Sequence, residues 1–342
     1  MKKIVTFGEI MLRLSPPGFE RFFQSPVLSA TFGGGEANVA VSLAHFGLDS
    51  TYVTALPTHA IGDAAIRALG AEGVRTDRIV RGGSRVGIYF AETGASQRAS
   101  GVVYDRAHSS VSEMAPDAVD WTSALEGADW FHVTGITPAL GANAADATRR
   151  AIGAARASGA RVSVDLNYRK KLWTEAQARA VMGPMMREVD VVIANEEDLQ
   201  SVLGVHVPGT DVTSGQLNLE GFRQAAEQVT RDFGPPTVAI TLRESVSASD
   251  NGWSAALWDA GAGAMERSQR YDVRIVDRIG GGDSFAAGLI FGLVTGRAPK
   301  DALRFAVAAS ALKQTIPGDF NRVSVEEVDR LAGGDASGRV QR

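Results

Sequence analysis

A glycine-rich turn late in the chain constrains the fold more than any other sequence feature. Residues 277–283 are Asp-Arg-Ile-Gly-Gly-Gly-Asp; residues 271–276 before them alternate like a strand, and residues 284–294 after them form an apolar helix. A strand, a glycine turn and a helix in this order point free backbone N–H groups at one spot, where the helix dipole adds positive potential. The sequence therefore predicts an anion-binding turn.

Asp283 follows the glycines directly and suggests what such a turn would do. A carboxylate has no reason to bind an anion itself, but it can accept the proton of a hydroxyl that attacks the anion. The combination indicates phosphoryl transfer to an alcohol. The same residues also fit an ordinary loop with an Asp helix cap, so the rest of the chain has to decide.

A second glycine-rich turn lies near the start of the chain. Residues 33–38 are Gly-Gly-Gly-Glu-Ala-Asn and lead into an apolar helix that Gly47 closes. Glycine allows a ligand to approach the backbone closely, and the Asn38 amide offers both a donor and an acceptor. Taken alone, this turn fits a simple N-cap as well as a ligand site.

Over most of the chain, strands alternate with helices. The predicted strands are 4–7, 51–56, 130–135, 161–167, 189–195 and 238–242, and the predicted helices include 39–46, 61–69, 144–158 and 299–313. Such alternation predicts a mostly parallel sheet with helices on both faces. Residues 86–92 and 100–106 break the alternation and resemble an antiparallel hairpin with one polar face, which indicates an accessory sheet.

Glycines and polar residues follow several of the predicted strands. These segments are 34–35, 167–169, 195–198, 241–242 and 280–283. Ligands of open α/β sheets gather at the carboxyl ends of the strands. We therefore expect the five segments to face one crevice, which favours a functional site over five unrelated loops.

Composition excludes several other classes of protein. The 342 residues include no cysteine, which excludes disulfides, zinc–thiolate sites and thiol nucleophiles. The formal net charge of −4 argues against nucleic-acid or membrane-surface partners, and the five scattered histidines are predicted to be structural. No apolar run reaches the roughly 20 residues that span a bilayer, and residues 1–9 do not resemble a secretory signal, so we expect a cytoplasmic protein. Neither the P-loop nor the dinucleotide-binding glycine motif is present.

The two glycine signatures together resemble those of the ribokinase-like, PfkB-type carbohydrate kinases. The early signature of that family matches Gly34, Gly35 and Asn38, and its late Asp-x-x-Gly-x-Gly-Asp signature matches residues 277–283. The resemblance covers nearly the whole chain. It implies a kinase that uses ATP and Mg²⁺, with an α/β fold: a three-layer α/β/α Rossmann-like core with a mostly parallel sheet, plus a small β-sheet lid.

The same resemblance implies a domain layout. Residues 1–332 would form a single kinase domain, with the lid built from segments about 10–31 and 86–107. Residues 333–342 are predicted to be a disordered tail. Because a lid sheet with an exposed apolar face often pairs with another copy, we expect a homo-oligomer, a dimer or larger.

Within the family, the chain is most similar to the group that phosphorylates 2-keto-3-deoxygluconate. The similarity lies in residues 8–16, 104–106, 165–169 and 318–319. It implies Asp283 as the base, with Gly280, Gly281 and Gly282 as the anion hole. The sugar acid would be held by Gly34, Tyr89, Tyr104, Arg106, Arg169 and Asp319. The nucleotide would contact Asn167, Arg169, Asn195, Thr241, Gly280 and Gly282.

Two departures from the family pattern concern the nucleotide end. The family's Asn-x-x-Glu motif ends here in Asp198, which is one methylene shorter, so that Mg²⁺ would be reached through a water. The glycine-rich turn that usually follows the Thr-Leu strand is replaced by residues 243–246, which leaves the nucleotide preference open. Many members also need a monovalent cation beside the late turn, and this point stays open as well.

These features predict transfer of the ATP γ-phosphoryl group to the terminal C6 hydroxyl of 2-keto-3-deoxygluconate. The nearest alternative is a kinase of a neutral sugar such as fructose or ribose, which would have no use for the cationic side chains of Arg106 and Arg169. A non-catalytic sugar-binding protein is a second alternative, and Asp283 beside the glycines argues against it. A dehydrogenase on a similar sheet would need the dinucleotide-binding motif.

Overall fold

A computed structural model describes residues 1–209 and 218–338 of the chain. The strands are β1 Lys3–Phe7, β2 Met11–Ser15, β3 Ser29–Gly33, β4 Asp49–Val53, β5 Ala55–Leu56, β6 Val80–Arg81, β7 Gly87–Glu92, β8 Gly101–Asp105, β9 Trp130–Thr134, β10 Arg161–Asp165, β11 Val191–Ala194, β12 Thr237–Ser245, β13 Asp250–Asp259, β14 Ala264–Arg267 and β15 Tyr271–Arg274. The helices are α1 Gly35–His45, α2 Ala60–Ala71, α3 Ser110–Glu113, α4 Trp121–Ala124, α5 Ile136–Ala139, α6 Ala142–Ala157, α7 Glu175–Met185, α8 Glu196–Asp198, α9 Leu219–Phe233, α10 Gly281–Val294, α11 Pro299–Lys313 and α12 Val325–Ala332.

The central sheet runs in the order β14-β13-β12-β11-β10-β9-β1-β4, with β15 paired to β13. The strands from β12 to β4 are parallel, while β13 is antiparallel to β12, β14 and β15. The central strands β9 and β11 are buried along their whole length, as expected for a parallel sheet that is covered on both faces. The predicted α/β fold with a mostly parallel sheet is confirmed.

Helices cover both faces of this sheet and create two apolar layers. One layer contains buried side chains of α6, α7 and α9, and the other those of α1, α10 and α11. The second layer is rich in alanine and glycine, so that α10 and α11 pack closely; a Cβ at Gly288 would contact the backbone of Ala306. The close packing holds α10, and hence the glycine turn at its start, firmly on the sheet.

A smaller sheet of four strands stands apart from the central one, in the order β3-β2-β7-β8. Its strands come from the two segments predicted to build the lid, about 10–31 and 86–107. Strands β7 and β8 form the antiparallel hairpin that was expected at residues 86–92 and 100–106. The outer strands β3 and β8 are mostly exposed, whereas β2 and β7 pack against the core. Ile279 of the late glycine turn contacts the Met11, Tyr89 and Ala91 cluster of this sheet.

Some boundaries differ from the sequence prediction. Helix α10 begins at Gly281 rather than Ser284, because Gly280 in the left-handed conformation (φ 83°) serves as its N-cap. Strand β12 continues to Ser245 instead of ending at Leu242. The charged residues after Leu242 resemble a turn in the sequence, but in the structure they continue the pairing of β12 with β13. Glu244 also accepts a hydrogen bond from Arg270. Helix α9 was not predicted, although Phe222, Ala225, Ala226 and Val229 are buried at helical spacing.

None of the helices in the described ranges is long and apolar enough to cross a membrane. Residues 333–338 follow α12 and include no helix or strand. The remaining part of the predicted tail, 339–342, lies outside the described residues, and its disorder stays a prediction.

Candidate active site

A cleft of about 750 Å³ opens at the carboxyl ends of the parallel strands, between the core and the small sheet. It is lined by thirteen of the fourteen predicted site residues, namely Gly34, Tyr89, Tyr104, Arg106, Asn167, Arg169, Asn195, Asp198, Thr241, Gly280, Gly282, Asp283 and Asp319. The expectation that the segments after the strands share one crevice is therefore met. Gly281 is the exception: it does not line the cleft, and a Cβ there would face the Gln314 side chain.

The late glycine turn presents free backbone donors to this cleft. The N–H of Gly281 donates to the carbonyl of Arg278 at 3.3 Å, so it closes the turn instead of facing a ligand. Across the described residues, no acceptor is present for the N–H groups of Gly282 and Asp283, which belong to the first turn of α10. These two donors, rather than the three glycines together, are the part of the turn best placed to bind an anion.

Gly280 and Gly34 are required because backbone approaches them closely. Gly280 has φ 83°, and a Cβ there would meet the carbonyl oxygen of Asp319. Gly34 is extended, and a Cβ on it would meet the carbonyl oxygen of Glu9. Both turns are thus pressed against neighbouring loops, whereas a Cβ at Gly282 would meet no described atom within 4 Å and would enter the cleft.

Asp283 connects the two glycine signatures. Its Oδ2 accepts a hydrogen bond of 2.7 Å from Nδ2 of Asn38, and Oδ1 of Asn38 accepts the N–H of Gly34 at 3.2 Å. Burial raises the pKa of Asp283 to about 7, against the opposing effect of the Asn38 hydrogen bond, and the nearby charges of Asp319 and Glu36 act in the same direction as burial. A carboxylate with this pKa, in contact with the cleft, can accept a proton near neutral pH.

Glu36 holds the early glycine turn in place through buried hydrogen bonds. Its Oε1 accepts hydrogen bonds from the Thr134 N–H, the Thr134 hydroxyl and the Thr137 hydroxyl at 2.9, 2.8 and 2.6 Å. Burial raises the pKa of this carboxyl, and the three donors oppose the shift. The interaction fixes the start of α1, and with it Asn38, against the end of β9.

Asp319 takes part in a buried ion-pair network that the sequence did not reveal. The Arg13 guanidinium donates to Asp319 Oδ1 at 2.8 Å and to Asp277 Oδ2 at 2.7 Å, and the Tyr89 hydroxyl lies 2.6 Å from both Asp319 oxygens. Burial opposes the charge on Arg13, but the two carboxylates outweigh it and raise its pKa. Tyr89 and Asp319 thus form a rigid wall of the cleft, joined to the loop that precedes the glycines.

Arg106, one of the two predicted carboxylate-binding arginines, is already paired. Its Nε donates to Oε2 of Glu9 at 2.7 Å and its Nη2 donates to the same oxygen, while its guanidinium carbon lies 5.4 Å from the centre of the Tyr104 ring. The other Glu9 oxygen, Oε1, is buried and has no hydrogen-bond partner in the described chain. Glu9 was not among the predicted site residues, although it lies in the matched segment 8–16.

Arg169 differs, because within the described residues its side chain makes one hydrogen bond, from Nη1 to the carbonyl of Tyr168 at 3.0 Å. Among the described residues it forms no ion pair within 4.0 Å. Its charge nevertheless acts on Asp165, Asp198 and Asp283, where it favours the ionised carboxylates. Arg169 is therefore a cation in the cleft whose hydrogen-bond donors are largely free.

Two aspartates, Asp165 and Asp198, lie near the predicted nucleotide end. Asp165 is buried, and burial together with the charges of Asp198 and Asp283 raises its pKa well above the ordinary value. Asp198 is occupied by backbone: Oδ1 accepts the Tyr168 N–H at 2.9 Å, Oδ2 accepts the Asn195 N–H at 3.3 Å, and Asn195 caps the helix in return. No group of three or more acidic or histidine side chains in the described ranges has the arrangement of a metal site.

Two further predicted residues frame this end. Asn167 adopts φ 38°, a left-handed conformation that is uncommon outside glycine, directly after β10. Thr241 lies on β12, where its hydroxyl donates to the Ala194 carbonyl at 3.4 Å. Beyond Thr241 the cleft is walled by Leu242, Arg243 and Glu244, which lie in segments singled out from the sequence, and by Phe222 and Trp253, which were not singled out.

Comparisons with known proteins agree with this architecture. The family model described as pfkB family carbohydrate kinase matches residues 1–322. The crystal structure of a 2-dehydro-3-deoxygluconokinase from Thermotoga maritima is 52% identical, covers 98% of this chain and 100% of its own, and superimposes with a TM-score of 0.94.

Two other relatives extend the picture. A 2-dehydro-3-deoxygalactonokinase from Haloferax volcanii is 33% identical, with 98% of each chain covered. A structure from E. coli described as a putative Ribokinase II in complex with ATP and Mg²⁺ is 19% identical, covers 97% of this chain and 99% of its own, and has a TM-score of 0.81. At that identity the last likeness supports the fold alone.

Proposed function

The chain belongs to the pfkB family of carbohydrate kinases, and we propose that it transfers the γ-phosphoryl group of ATP to the terminal C6 hydroxyl of 2-keto-3-deoxygluconate. The observation that carries the proposal is the position of Asp283, whose pKa is raised to about 7, in the first turn of α10 beside the free N–H groups of that turn. A base and an anion site within one turn suit the transfer of a phosphoryl group to a hydroxyl. The 52% identity to a 2-dehydro-3-deoxygluconokinase supports this choice of sugar acid.

In this mechanism Asp283 accepts the proton of the attacking hydroxyl. The hydrogen bond from Asn38 orients the carboxylate, so that Oδ1 is left for the substrate. The free N–H groups of Gly282 and Asp283 donate to the transferring group, on which negative charge accumulates. Because both parts are held by α10 and the core, positioning costs little rearrangement during the reaction.

The sugar acid occupies the part of the cleft next to the small sheet. Arg169 offers free N–H donors for the carboxylate of the sugar acid. Arg106 offers the N–H donors that are not bound to Glu9. Arginine suits a carboxylate because its planar fork donates two parallel hydrogen bonds. The unpaired Oε1 of Glu9 and the Asp319–Tyr89 wall accept or donate hydrogen bonds to sugar hydroxyls, and Gly34 allows close approach to the backbone.

Asn167, Asn195 and Thr241 would hold ATP, with Gly280 and Gly282 toward its terminal phosphate. Burial, and then the charges of Asp198 and Asp283, raise the pKa of Asp165, and carboxylates this close together fit a site that takes a divalent cation; Mg²⁺ commonly needs only one or two carboxylates besides phosphates and waters. Asp198 would reach the ion through a water, because its oxygens already accept backbone hydrogen bonds. When bound, Mg²⁺ neutralises phosphate charge.

The small sheet acts as a lid that excludes water, the competing acceptor. Large apolar side chains are exposed here: Phe19, Phe23 and Val27 in the loop between β2 and β3, and Val103 on β8. Exposed apolar side chains of this kind favour pairing with a second copy, and a homo-oligomer through the lid is part of the proposal.

One observation keeps a neutral-sugar kinase as the second candidate. Since Glu9 already balances the charge of Arg106, only Arg169 of the two arginines predicted to bind the carboxylate has no ion pair among the described side chains. A fructose- or ribose-like substrate would place hydroxyls, not a carboxylate, near these groups. The epimer 2-keto-3-deoxygalactonate is a closer variant of the main proposal, given the named activity of the Haloferax volcanii relative.

A substrate panel tests the proposal. The purified protein is given ATP, Mg²⁺ and either of the two epimeric sugar acids, fructose or ribose, and ADP release and the mass of the product are measured. We expect the sugar acids to be phosphorylated and the neutral sugars to be poor substrates. Equal rates with fructose or ribose would support the neutral-sugar kinase instead, and binding without ADP release would indicate a non-catalytic sugar-binding protein.

A further inference from the structure

A lysine side chain is buried directly behind the late glycine turn. Lys313, the last residue of α11, is 0% exposed and ranks with the largest fully buried side chains of the described chain. Lysine is almost never fully buried unless its ammonium group is paired, because desolvating a charge is costly. None of the steps proposed above uses this group.

The partners of Lys313 are backbone carbonyls. Its Nζ donates to the carbonyl of Asp277 at 3.2 Å and to that of Ile316 at 3.4 Å. No carboxylate of the described residues lies within 4.0 Å of Nζ in an ion pair. Carbonyl oxygens around a small positive charge are also how proteins bind hard cations.

Both carbonyls belong to loops that shape the site. Asp277 opens the turn that ends in Asp283, and Ile316 opens the loop that leads to Asp319. The lysine stem supports the turn as well, since its Cε lies 3.2 Å from the place where Gly280 would carry a Cβ. Asp277 and Asp319 are bridged by Arg13 on the other side, so that the two loops are tied together twice.

Charged groups surround the buried amino group of Lys313. Burial lowers the pKa of Lys313 and Arg13 acts in the same direction, while the carboxylates of Asp277, Asp319 and Asp283 act against this shift. These three carboxylates and the two backbone carbonyls that accept from Nζ favour the charged form of the group behind the anion-binding turn.

We infer that the Lys313 ammonium serves as a built-in cation beside the late turn, in the place of the monovalent ion that the family resemblance leaves open. The carbonyls of Asp277 and Ile316 are already bound by its Nζ, so the residues present do not fit a free K⁺ or Na⁺ between them. Lys313 is a positioning residue: it holds the two loops and adds positive potential behind the donors of Gly282 and Asp283. The inference rests on the proposed kinase activity for its effect on turnover.

The test compares the wild type with Lys313→Met, which keeps an unbranched apolar stem and removes the charge. Lys300→Met, in the exposed first turn of the same helix, is the matched control. Each protein is assayed in buffers whose only monovalent cation is tetramethylammonium, K⁺ or Na⁺. Thermal unfolding is measured in the same buffers, so that one readout does not depend on activity.

We expect the turnover of the wild type and of Lys300→Met to change less than about twofold among the buffers. Lys313→Met should lose at least about tenfold in turnover in tetramethylammonium, the scale of one lost electrostatic contact of about 1.4 kcal/mol. K⁺ or Na⁺ should restore part of this turnover and raise the melting temperature of Lys313→Met, but not that of the wild type.

Strong activation of the wild type by K⁺ over tetramethylammonium would overturn the inference, as would full turnover of Lys313→Met without K⁺ or Na⁺. If Lys313→Met does not fold in any buffer, the cation dependence of the wild type alone decides. If the wild type phosphorylates no sugar, the proposed function fails. The melting temperature of the wild type then still tests the inference: a rise with K⁺ would contradict it, and no change with K⁺ would support it.

Discussion

The two walls of the cleft are built in different ways. The core wall carries Asp283, Asn38 and the two glycine turns on buried elements. A hydrogen bond from Asn38 to Asp283 joins the early turn to the late one, and Asn38 in turn accepts the N–H of Gly34. The wall of the small sheet carries Tyr104 and Arg106 at the end of β8, a strand that is mostly exposed. Buried contacts join the small sheet to the core: Arg13 with Asp277 and Asp319, Arg106 with Glu9, and Tyr89 with Asp319.

This difference suggests a division of labour. The groups on the core wall cannot shift without disturbing close-packed helices, which suits a base and an anion site that have to be pre-positioned. The outer strand β8 is mostly exposed and less restrained by packing, which suits substrate selection and closure. Changes on the core wall should therefore affect turnover, and changes on the sheet wall should affect the KM of the sugar.

The largest effect is expected for Asp283→Asn, which keeps the shape of the side chain and removes its basicity. Turnover should fall by roughly 10²-fold or more, the usual scale for a positioned general base, with little change in the KM of either substrate. Steady-state kinetics and a thermal melt measure the two quantities. Near wild-type turnover would mean that another group accepts the proton, and that the core wall does not carry the base.

Alanine at two positions of the glycine turn should separate catalysis from folding. Gly282→Ala places a methyl group in open cleft space, so the protein should fold normally but lose on the order of 10²-fold in turnover, as when an oxyanion donor is lost. Gly280→Ala should lower the melting temperature, because it forces a left-handed alanine, at about 1–2 kcal/mol, against the Asp319 carbonyl. A fully active Gly282→Ala would mean that the turn binds no phosphoryl group.

On the sheet wall, Arg106→Lys retains a positive charge for Glu9 and loses the planar fork. The KM of the sugar acid should rise by roughly 10–150-fold, from a charged hydrogen bond of about 1.5–3 kcal/mol, while the KM of ATP changes little. Arg169→Lys should disturb both constants because Arg169 also lies near the nucleotide end. Arg98→Lys, in the loop between β7 and β8, paired with Glu92 and outside the cleft, is the control. An unchanged KM in Arg106→Lys would favour the neutral-sugar kinase.

The pH dependence should give the smallest effect. Asp283 has to be deprotonated to accept a proton, and its pKa is raised to about 7. Turnover should therefore fall about tenfold per pH unit as the pH drops below about 7, and level off above it. An acidic limb near pH 4 would mean that the carboxylate behaves like an exposed one, and that the core wall is more open than the structure indicates.

Local patterns in the sequence were sufficient for the main elements of the fold. The strand–turn–helix unit around residues 277–283 was identified because alternation, glycines and an apolar helix are all local signals. Helix α11 was predicted with its observed bounds, Pro299–Lys313, since proline marks its start and apolar residues recur along it. Strand β13 was missed, because polar residues and a glycine at its start obscure the strand pattern.

Short motifs and the periodicity of apolar residues were enough to identify the family and the α/β architecture, and to propose Asp283 as the base. Only the tertiary structure decided which charges meet. Arg13 pairs with Asp277 and Asp319, which are 264 and 306 residues away, and Glu9 neutralises Arg106 at a separation of 97 residues. Lys313 donates to a carbonyl 36 residues earlier. Such pairs carry no local signal, because packing of the whole sheet brings them together and their energy depends on the burial that results.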